Sequence, residues 1–193
     1  MSALAAWYYK QMAVWSAVLK RDEMSLEYWQ RLRAERPRDP TVVATIAHMR
    51  ASDGHRDEAI ALMHQALDLD PGRAEHWFNL GFLQQEREEH KEAVRSFERA
   101  IGLDAKLDRA HYGIGLSLVK LGRHEDAVAP FKKNTELQPL SPYGWYQLAH
   151  VYHRLGDSKR VARVIRQLAG FEPKVARQLE RETGVVVGVE VPF

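Results

Sequence analysis

The sequence predicts an all-α protein in which antiparallel helix pairs stack into a solenoid of about five units. The first observation is a residue pattern beginning at Ala74 that recurs 34 residues earlier, 34 residues later and 34 residues after that. The second is the order of small and large apolar residues within each segment, which follows helical spacing. The third is the placement of glycine and proline between the helices. A fixed period of this length is typical of stacked repeats.

The segment from Ala74 to Leu107 shows the pattern most clearly. Trp77 and Phe97 are its large residues, whereas Gly81 and Ala93 are small. Two helices can cross closely where small residues meet, and large side chains fill the space between the layers. This order of side chains therefore predicts two antiparallel helices in contact.

The period also divides the chain into repeats and flanking segments. We expect a degenerate repeat or N-terminal cap, four regular repeats, a C-terminal capping helix and an extended apolar tail. The predicted bounds are 1–39 for the cap, 40–173 for the repeats (40–73, 74–107, 108–141 and, approximately, 142–175), 174–183 for the capping helix and 184–193 for the tail. The tail is rich in valine, which disfavours helix, and we expect it to pack on the protein or to dock on a partner.

The N-terminal segment is predicted to begin with a helix over residues 3 to 20, because large apolar residues recur there at helical spacing. These residues are Leu4, Trp7, Tyr8, Met12, Trp15 and Leu19. Ser25 is predicted to cap a second helix that continues through Glu35. No basic stretch precedes the apolar run, and Lys10 and Gln11 interrupt it, so neither a signal peptide nor a membrane span is expected.

Glycine occupies the predicted turn of three repeats, at Gly54, Gly122 and Gly156, where the end of a helix requires a positive φ. With the degenerate N-terminal unit counted as the first repeat, the third repeat (74–107) has Glu88 at this place instead. Pro130 lies inside a predicted helix, and we expect it to kink that helix or to mark its first turn.

Composition narrows the range of functions. The net charge is +2, which is too small to indicate nucleic-acid binding by itself. The chain has no cysteine, so disulfides, thiolate nucleophiles and cysteine metal sites are excluded. The absence of cysteine fits a reducing compartment, and a cytoplasmic location is expected.

With these small, large, glycine and proline positions, residues 40 to 173 resemble the tetratricopeptide repeat family. The resemblance implies a right-handed α-solenoid in which the first helix of each repeat lines a concave groove where ligands bind. Together with the aromatic residues at the groove positions and the absence of a catalytic constellation, it predicts a non-catalytic protein-protein interaction scaffold or adaptor whose partner supplies a peptide or a helix. It does not indicate which protein that partner is.

From the groove and clamp positions of the family we select twelve candidate partner-binding residues in this chain. They are Phe78, Asn79, Phe82 and Gln85 in the third repeat, Arg109, Tyr112, Leu116 and Lys120 in the fourth, and Tyr143, Tyr146, His150 and His153 in the fifth. Aromatic rings on the open side of a solenoid usually mark a binding surface. The alternative is that these rings pack against neighbouring helices.

Some members of the family hold an acidic C-terminal peptide in a clamp of lysine, asparagine and arginine. Asn79 and Arg109 match two positions of that clamp, whereas Ala44, His48 and Gly113 occupy three others and lack the required chemistry. An apolar or mixed peptide, or a helix of the partner, therefore suits this groove better.

No catalytic or metal-binding constellation is found in the sequence. His150 and His153 have a spacing that zinc ligands use, but no third ligand lies at a motif distance. There is no glycine-rich phosphate loop and no nucleophile elbow around a serine. We therefore expect no enzyme activity, no cofactor and no metal.

Two other functions stay open. The chain is alternatively an accessory or assembly subunit of an enzyme complex, attached through its N-terminal aromatic helix or its C-terminal tail. Basic residues concentrated between Arg154 and Arg181 indicate a less favoured option, the binding of nucleic acid or an anionic membrane. Self-association also remains open.

Overall fold

The computed structural model describes residues 3 to 190, and every regular element within that range is an α-helix. The helices are α1 (Ala3–Val18), α2 (Asp22–Glu35), α3 (Pro40–Ser52), α4 (Arg56–Leu69), α5 (Ala74–Glu86), α6 (His90–Leu103), α7 (Asp108–Lys120), α8 (His124–Leu137), α9 (Pro142–Arg154), α10 (Ser158–Ala169) and α11 (Pro173–Thr183). The predicted all-α fold is confirmed. The chain forms two compact units, one ending at Glu89 and the other beginning at His90.

The first unit contains α1 to α5, and its core lies between neighbouring helices in chain order. The helices of the pairs α1/α2 and α3/α4 pack on each other, α2 packs on α3, and α4 packs on α5. Ala47, Ala59 and Ala66 are fully buried where helices approach closely, and Ile46 and Met63 fill the space beside them.

The role predicted for Ser25 is wrong. Helix α2 begins at Asp22, and Ser25 is a fully buried residue inside it. The Ser25 hydroxyl donates a hydrogen bond to the Ala13 carbonyl of α1 at 2.8 Å. A small polar side chain therefore serves the close contact between α1 and α2, while Asp22 and Glu23 provide negative charge at the start of α2.

The second unit contains α6 to α11, and two phenylalanine–glycine contacts lie at its centre. Phe97 and Phe131 are fully buried. A Cβ atom added to Gly113 would lie 2.6 Å from the Phe97 ring, and one added to Gly115 would lie 2.6 Å from the Phe131 ring. These distances are well below van der Waals contact, so α7 can approach both rings only with glycine at these positions.

Pro130 is the seventh residue of α8, so it does not mark the first turn of that helix. Its ring removes one backbone hydrogen bond from the middle of α8 without ending the helix.

One side-chain hydrogen bond recurs with the sequence period. At the same place in three repeats, a ring nitrogen lies within hydrogen-bond distance of the carbonyl six residues earlier. The pairs are Trp77 with Pro71, His111 with Ala105, and Trp145 with Pro139, at 2.9, 3.1 and 2.9 Å. Each bond ties the first helix of a repeat to the loop before it. His111 therefore replaces tryptophan without loss of this contact.

The turn of the third repeat keeps the predicted backbone conformation without glycine. Gly54, Gly122 and Gly156 have φ of 84°, 73° and 73°, and Glu88 adopts φ of 63° at the corresponding place. A residue with a Cβ atom is strained in this left-handed region. The third repeat therefore carries a conformational cost that the second, fourth and fifth repeats avoid.

We expect Glu88→Gly to raise the free energy of unfolding by about 0.5–1 kcal/mol, because glycine adopts a positive φ without a steric penalty. The matched change Gly122→Glu should lower it by about 1 kcal/mol, since nothing lies within 4 Å of the added Cβ and only the backbone is strained. Urea unfolding measures both. Equal stability of Glu88→Gly and the unchanged protein would contradict the assignment of strain to Glu88.

The described part of the tail folds back on α11. Gly184 ends this helix with φ of 70°, and residues 185 to 190 form neither helix nor strand. One carboxylate oxygen of Glu180 accepts hydrogen bonds from the backbone N–H groups of Val187, Gly188 and Val189 at 2.6, 2.8 and 3.3 Å. These hydrogen bonds hold the pKa of Glu180 below its usual value, and the bond from Val187 has the largest effect.

A second contact fixes the end of the described tail. The Arg177 guanidinium donates a hydrogen bond to the Val189 carbonyl at 3.0 Å, and the Val189 side chain is buried. The tail thus packs on α11 up to this point. The predicted tail residues 191 to 193 lie outside the described part of the chain.

We expect Glu180→Ala to release the tail, because three backbone N–H groups lose their charged acceptor together. Amide hydrogen exchange at Val187 and Val189 should accelerate at least about tenfold, whereas the core of α10 should exchange as before. The control Glu136→Ala removes an exposed carboxylate that pairs with Lys133. If Glu180→Ala and Glu136→Ala give the same tail exchange, Glu180 does not hold the tail.

Candidate functional site

In the first unit, α5 carries the four candidate residues of the third repeat. Phe78, Asn79 and Gln85 are half-buried. Phe82 is 50% exposed and is therefore the aromatic ring that α5 presents to solvent. The surface around Phe82 is called the α5 face below.

In the second unit, α7 carries Arg109, Tyr112, Leu116 and Lys120. Arg109 and Lys120 are exposed, whereas Tyr112 and Leu116 are half-buried. The Tyr112 ring meets the core ring of Phe131 edge-on, with 5.8 Å between centroids. Burial raises the pKa of Tyr112, against the opposing effect of a hydrogen bond with Gln147 of α9. Tyr112 therefore packs partly inward, as the alternative interpretation of the aromatic residues holds.

The remaining candidates lie on α9, which packs beside α7. Tyr143 is 71% exposed, and His153 is also exposed. Tyr146 and His150 are half-buried, and their rings contact each other with centroids 4.5 Å apart. The surface formed by the candidate residues of α7 and α9 is called the α7–α9 face below.

Glu182 of α11 binds Tyr146 and His150 of this face. The Tyr146 hydroxyl donates to Glu182 Oε2 at 2.8 Å, and His150 Nε2 lies 3.0 Å from the same oxygen. A carboxylate oxygen only accepts, so His150 carries its proton on Nε2 in this contact. Gln178 donates to the other oxygen, Glu182 Oε1, at 2.7 Å. Helix α11 thus engages the C-terminal end of the α7–α9 face.

The pKa values in this cluster follow from the hydrogen bonds. The bond from Gln178, and then those from Tyr146 and His150, hold the pKa of Glu182 below its usual value. Burial raises the pKa of Tyr146, and the hydrogen bond to the Glu182 carboxylate raises it further. Glu182 is therefore ionised and Tyr146 is protonated near neutral pH.

Glu182, Gln178 and Gln147 were not among the residues predicted from the sequence to form the site. Glu182 lies 36 residues from Tyr146 and 32 from His150, on a helix that the groove positions of the family do not include. The sequence did offer one signal for Glu182, its position four residues after Gln178. Residues four apart share a helix face and can hydrogen-bond.

His150 and His153 do not form a metal site with other residues. Among residues 3 to 190, no group of three or more histidine, cysteine, aspartate or glutamate side chains is placed to hold a metal ion. The helices of this same range include none that is both long and apolar enough to cross a membrane.

A second concave surface lies on α8, α9 and α10, and the sequence analysis did not predict it. This groove has a volume of about 500 Å³. Its apolar residues are Val128, Trp145, Leu148, Tyr152 and Val164, and its polar residues are Lys132, Thr135, Glu136, Arg160, Arg163 and Gln167. The Arg160 guanidinium lies over the Tyr152 ring at 5.2 Å, so this side chain is already engaged within the protein.

We expect the hydrogen bonds of Glu182 to raise the free energy of unfolding near neutral pH and to lose this effect in acid. The folded protein holds the pKa of Glu182 below its unfolded value of about 4.3, so the carboxylate stabilises the fold above that pH. This contribution is lost as the pH falls through the lower folded-state pKa. The stability difference between the unchanged protein and Glu182→Gln, measured by urea unfolding, should therefore shrink below about pH 4. A difference that stays constant down to about pH 2 would contradict the assignment, and Glu136→Gln serves as the control.

Comparisons with known proteins give the family. A family model described as tetratricopeptide repeat matches residues 46–107 and 83–142. Together these matches cover residues 46 to 142, which is 97 of the 193 residues.

A curated relative is anaphase-promoting complex subunit 3 of Schizosaccharomyces pombe, with 25% identity over 124 residues. The match covers 64% of this chain but only 19% of the relative, and the chain spans less than a fifth of the first curated relatives it matches.

Solved structures share the fold. A crystal structure of MamA matches with a TM-score of 0.78 and 17% identity, covering 99% of this chain and all of that chain. YrrB, whose structure is described as a TPR protein with an unusual peptide-binding site, matches with a TM-score of 0.76 and 17% identity over 90% of each chain. Stacked repeats of this kind build extended binding surfaces, are generally non-catalytic, and support a role as a protein-interaction scaffold. The repeat pattern, the paired helices and a family match over half of the chain agree. This chain therefore belongs to the tetratricopeptide repeat family.

Proposed function

We propose that this protein is a scaffold that binds a peptide or a helix of a partner protein on the α5 face and on the α7–α9 face. The observation that carries the proposal is the exposure of one large aromatic ring on each face, Phe82 on α5 and Tyr143 on α9. Aromatic side chains are the commonest anchors of protein interfaces because they bury a large area with few rotatable bonds.

On the α7–α9 face, the binding surface rests on Tyr143, Leu116 and the accessible part of Tyr112. Tyr146 and His150 are bound to Glu182, so a ligand that contacts them has to replace hydrogen bonds already made within the protein. We therefore place the apolar anchor of the ligand beside Tyr143 and away from α11.

Charge adds a second feature of the ligand. Lys120 and Arg109 lie exposed on α7, at opposite ends of the helix from each other. A ligand with an apolar anchor flanked by acidic residues would complement this arrangement and would associate faster at low salt. A carboxylate clamp is not part of the proposal, because Ala44, His48 and Gly113 occupy its other positions.

A partner peptide or helix suits these faces better than a small molecule. Each face presents its aromatic anchor to solvent, whereas small ligands bind in enclosed apolar pockets. YrrB has the same fold and is described as having a peptide-binding site, and we extend that mode of binding to this chain by analogy.

The two other functions raised by the sequence remain predictions. Attachment to an enzyme complex through the N-terminal helix draws support from the exposed rings of Trp7 and Trp15 on α1. Attachment through the tail would require its described part to leave Glu180. Binding of nucleic acid or an anionic membrane through the basic residues of α10 has no contact in the structure that favours it over a solvated surface.

We expect the double variant Phe82→Glu/Tyr143→Glu to lose partner binding, because each change places a charge where the ligand is anchored. The purified protein would first select ligands from a phage-displayed library of random peptides. Fluorescence anisotropy of the selected peptides would then compare the variants, and the double variant should bind at least roughly tenfold more weakly.

The control is Leu103→Glu/Leu140→Glu, which introduces the same two charges at residues of matching exposure outside both faces. It should bind as the unchanged protein does, and circular dichroism should show that all proteins keep their helix content. Equal binding by the two double variants would refute the proposed faces.

A further inference from the structure

The outer side of α1 is apolar at both ends, with the polar residue Gln11 at its centre. Six large apolar side chains of this helix are at least 45% exposed, and we call them the α1 stripe. They are Leu4, Trp7, Tyr8, Val14, Trp15 and Val18. The opposite side of α1 is also apolar, with Ala6 and Ala13 buried against the rest of the first unit. A helix that is apolar on all sides is normally covered on all sides.

The α1 stripe has the spacing of a helix that packs against another helix. Leu4, Gln11 and Val18 are seven residues apart, and the remaining members of the stripe lie three or four residues from one of them. At this spacing all of the residues project from one side of α1.

The composition of the stripe is symmetric about Gln11. Moving outward from Gln11 in both directions gives Tyr8 and Val14, then Trp7 and Trp15. The ends of the stripe, Leu4 and Val18, are also equally distant from Gln11 and are both aliphatic. When two such helices run antiparallel with Gln11 at the centre, each residue lies level with its counterpart across the interface. Every large apolar residue then meets another apolar residue.

We propose that the α1 stripe binds a second copy of this chain, through antiparallel packing of two α1 helices about a twofold axis close to Gln11. Such a contact is isologous, because the same patch of both copies forms it. The Gln11 amide has both donors and an acceptor, so it can hydrogen-bond to Gln11 of the second copy. One polar residue in an apolar seam fixes the register of paired helices.

The size of the stripe fits this occupant. Its exposed side chains offer on the order of 800 Å² per copy, which is what each partner buries in a standard interface. Only pairing centred on Gln11 covers the whole stripe, because a shifted register leaves Leu4 or Val18 of each copy without a counterpart. Trp7 and Trp15 together would supply the anchors of the contact.

Charge also favours a second copy over a membrane surface. Between Ala3 and Val18 the only charged residue is Lys10. Helices that lie in a membrane interface carry many basic residues beside their apolar face. A helix whose single charge lies outside the stripe, with aromatic residues on either side of a polar centre, is the matching partner, and α1 is itself such a helix.

The inference goes beyond the proposed function, because no residue of the α1 stripe belongs to the α5 face or to the α7–α9 face. Sedimentation equilibrium of the full chain from about 1 to about 100 µM should show a monomer–dimer equilibrium. The variant Trp7→Glu/Trp15→Glu should raise the dimer dissociation constant at least roughly 100-fold, because two buried anchors become charges. The control Val186→Glu, at an exposed apolar residue of the tail, should leave that constant unchanged.

The arrangement is tested by disulfide cross-linking, since the chain has no cysteine of its own. Oxidised Gln11→Cys should form a covalent dimer, because the twofold axis brings the two Cα atoms within disulfide range. Ala17→Cys, an exposed residue of α1 outside the stripe, should stay monomeric in the same oxidation.

Four results would overturn the proposal: a monomer at every concentration, a dimer that survives Trp7→Glu/Trp15→Glu, failure of Gln11→Cys to cross-link, and equal cross-linking of Gln11→Cys and Ala17→Cys. Binding of the unchanged protein, but not of the double tryptophan variant, to phosphatidylglycerol vesicles without dimer formation would assign the stripe to a membrane instead.

Discussion

The close approach of α7 to two buried rings is the constraint on which the second unit depends. Phe97 and Phe131 fill the space between successive helices, and α7 meets both rings at glycine. The distance left by the absent Cβ atoms sets the position of α7, and thereby the positions of Tyr112 and Leu116 on its outer side. The candidate face is thus a consequence of how small residues meet large ones inside the repeat.

Two carboxylates of α11 complete the C-terminal end of the chain. Glu182 faces α9 and accepts hydrogen bonds from Tyr146 and Gln178, while Glu180 accepts three backbone N–H groups of the tail. Both are held ionised by these bonds, which are strong because one partner is charged. Polar contacts thus hold both α9 and the described part of the tail against α11.

The sequence period predicted the fold because it reports where helices must come close, and it even located the left-handed turn at Glu88. It could not predict side-chain direction where two physical preferences coincide. Ser25 suits both a helix cap and a small contact, and the structure uses it for contact. Helical spacing in α1 likewise does not tell which side is buried, and the large residues lie outside. The contacts of Glu182 join α9 to α11, which lies outside the repeat pattern, so the sequence period could not predict them.

We propose that a partner peptide or helix binds the α5 face and the α7–α9 face. The most direct measurement is an NMR titration of the isotope-labelled protein with a selected peptide, followed through the backbone and aromatic signals. The account predicts the largest shifts at Phe82, Leu116 and Tyr143, with small changes at Tyr152 and Val164. Shifts concentrated at Tyr152, Val164 and their neighbours would place the ligand in the groove of α8, α9 and α10 and would contradict it.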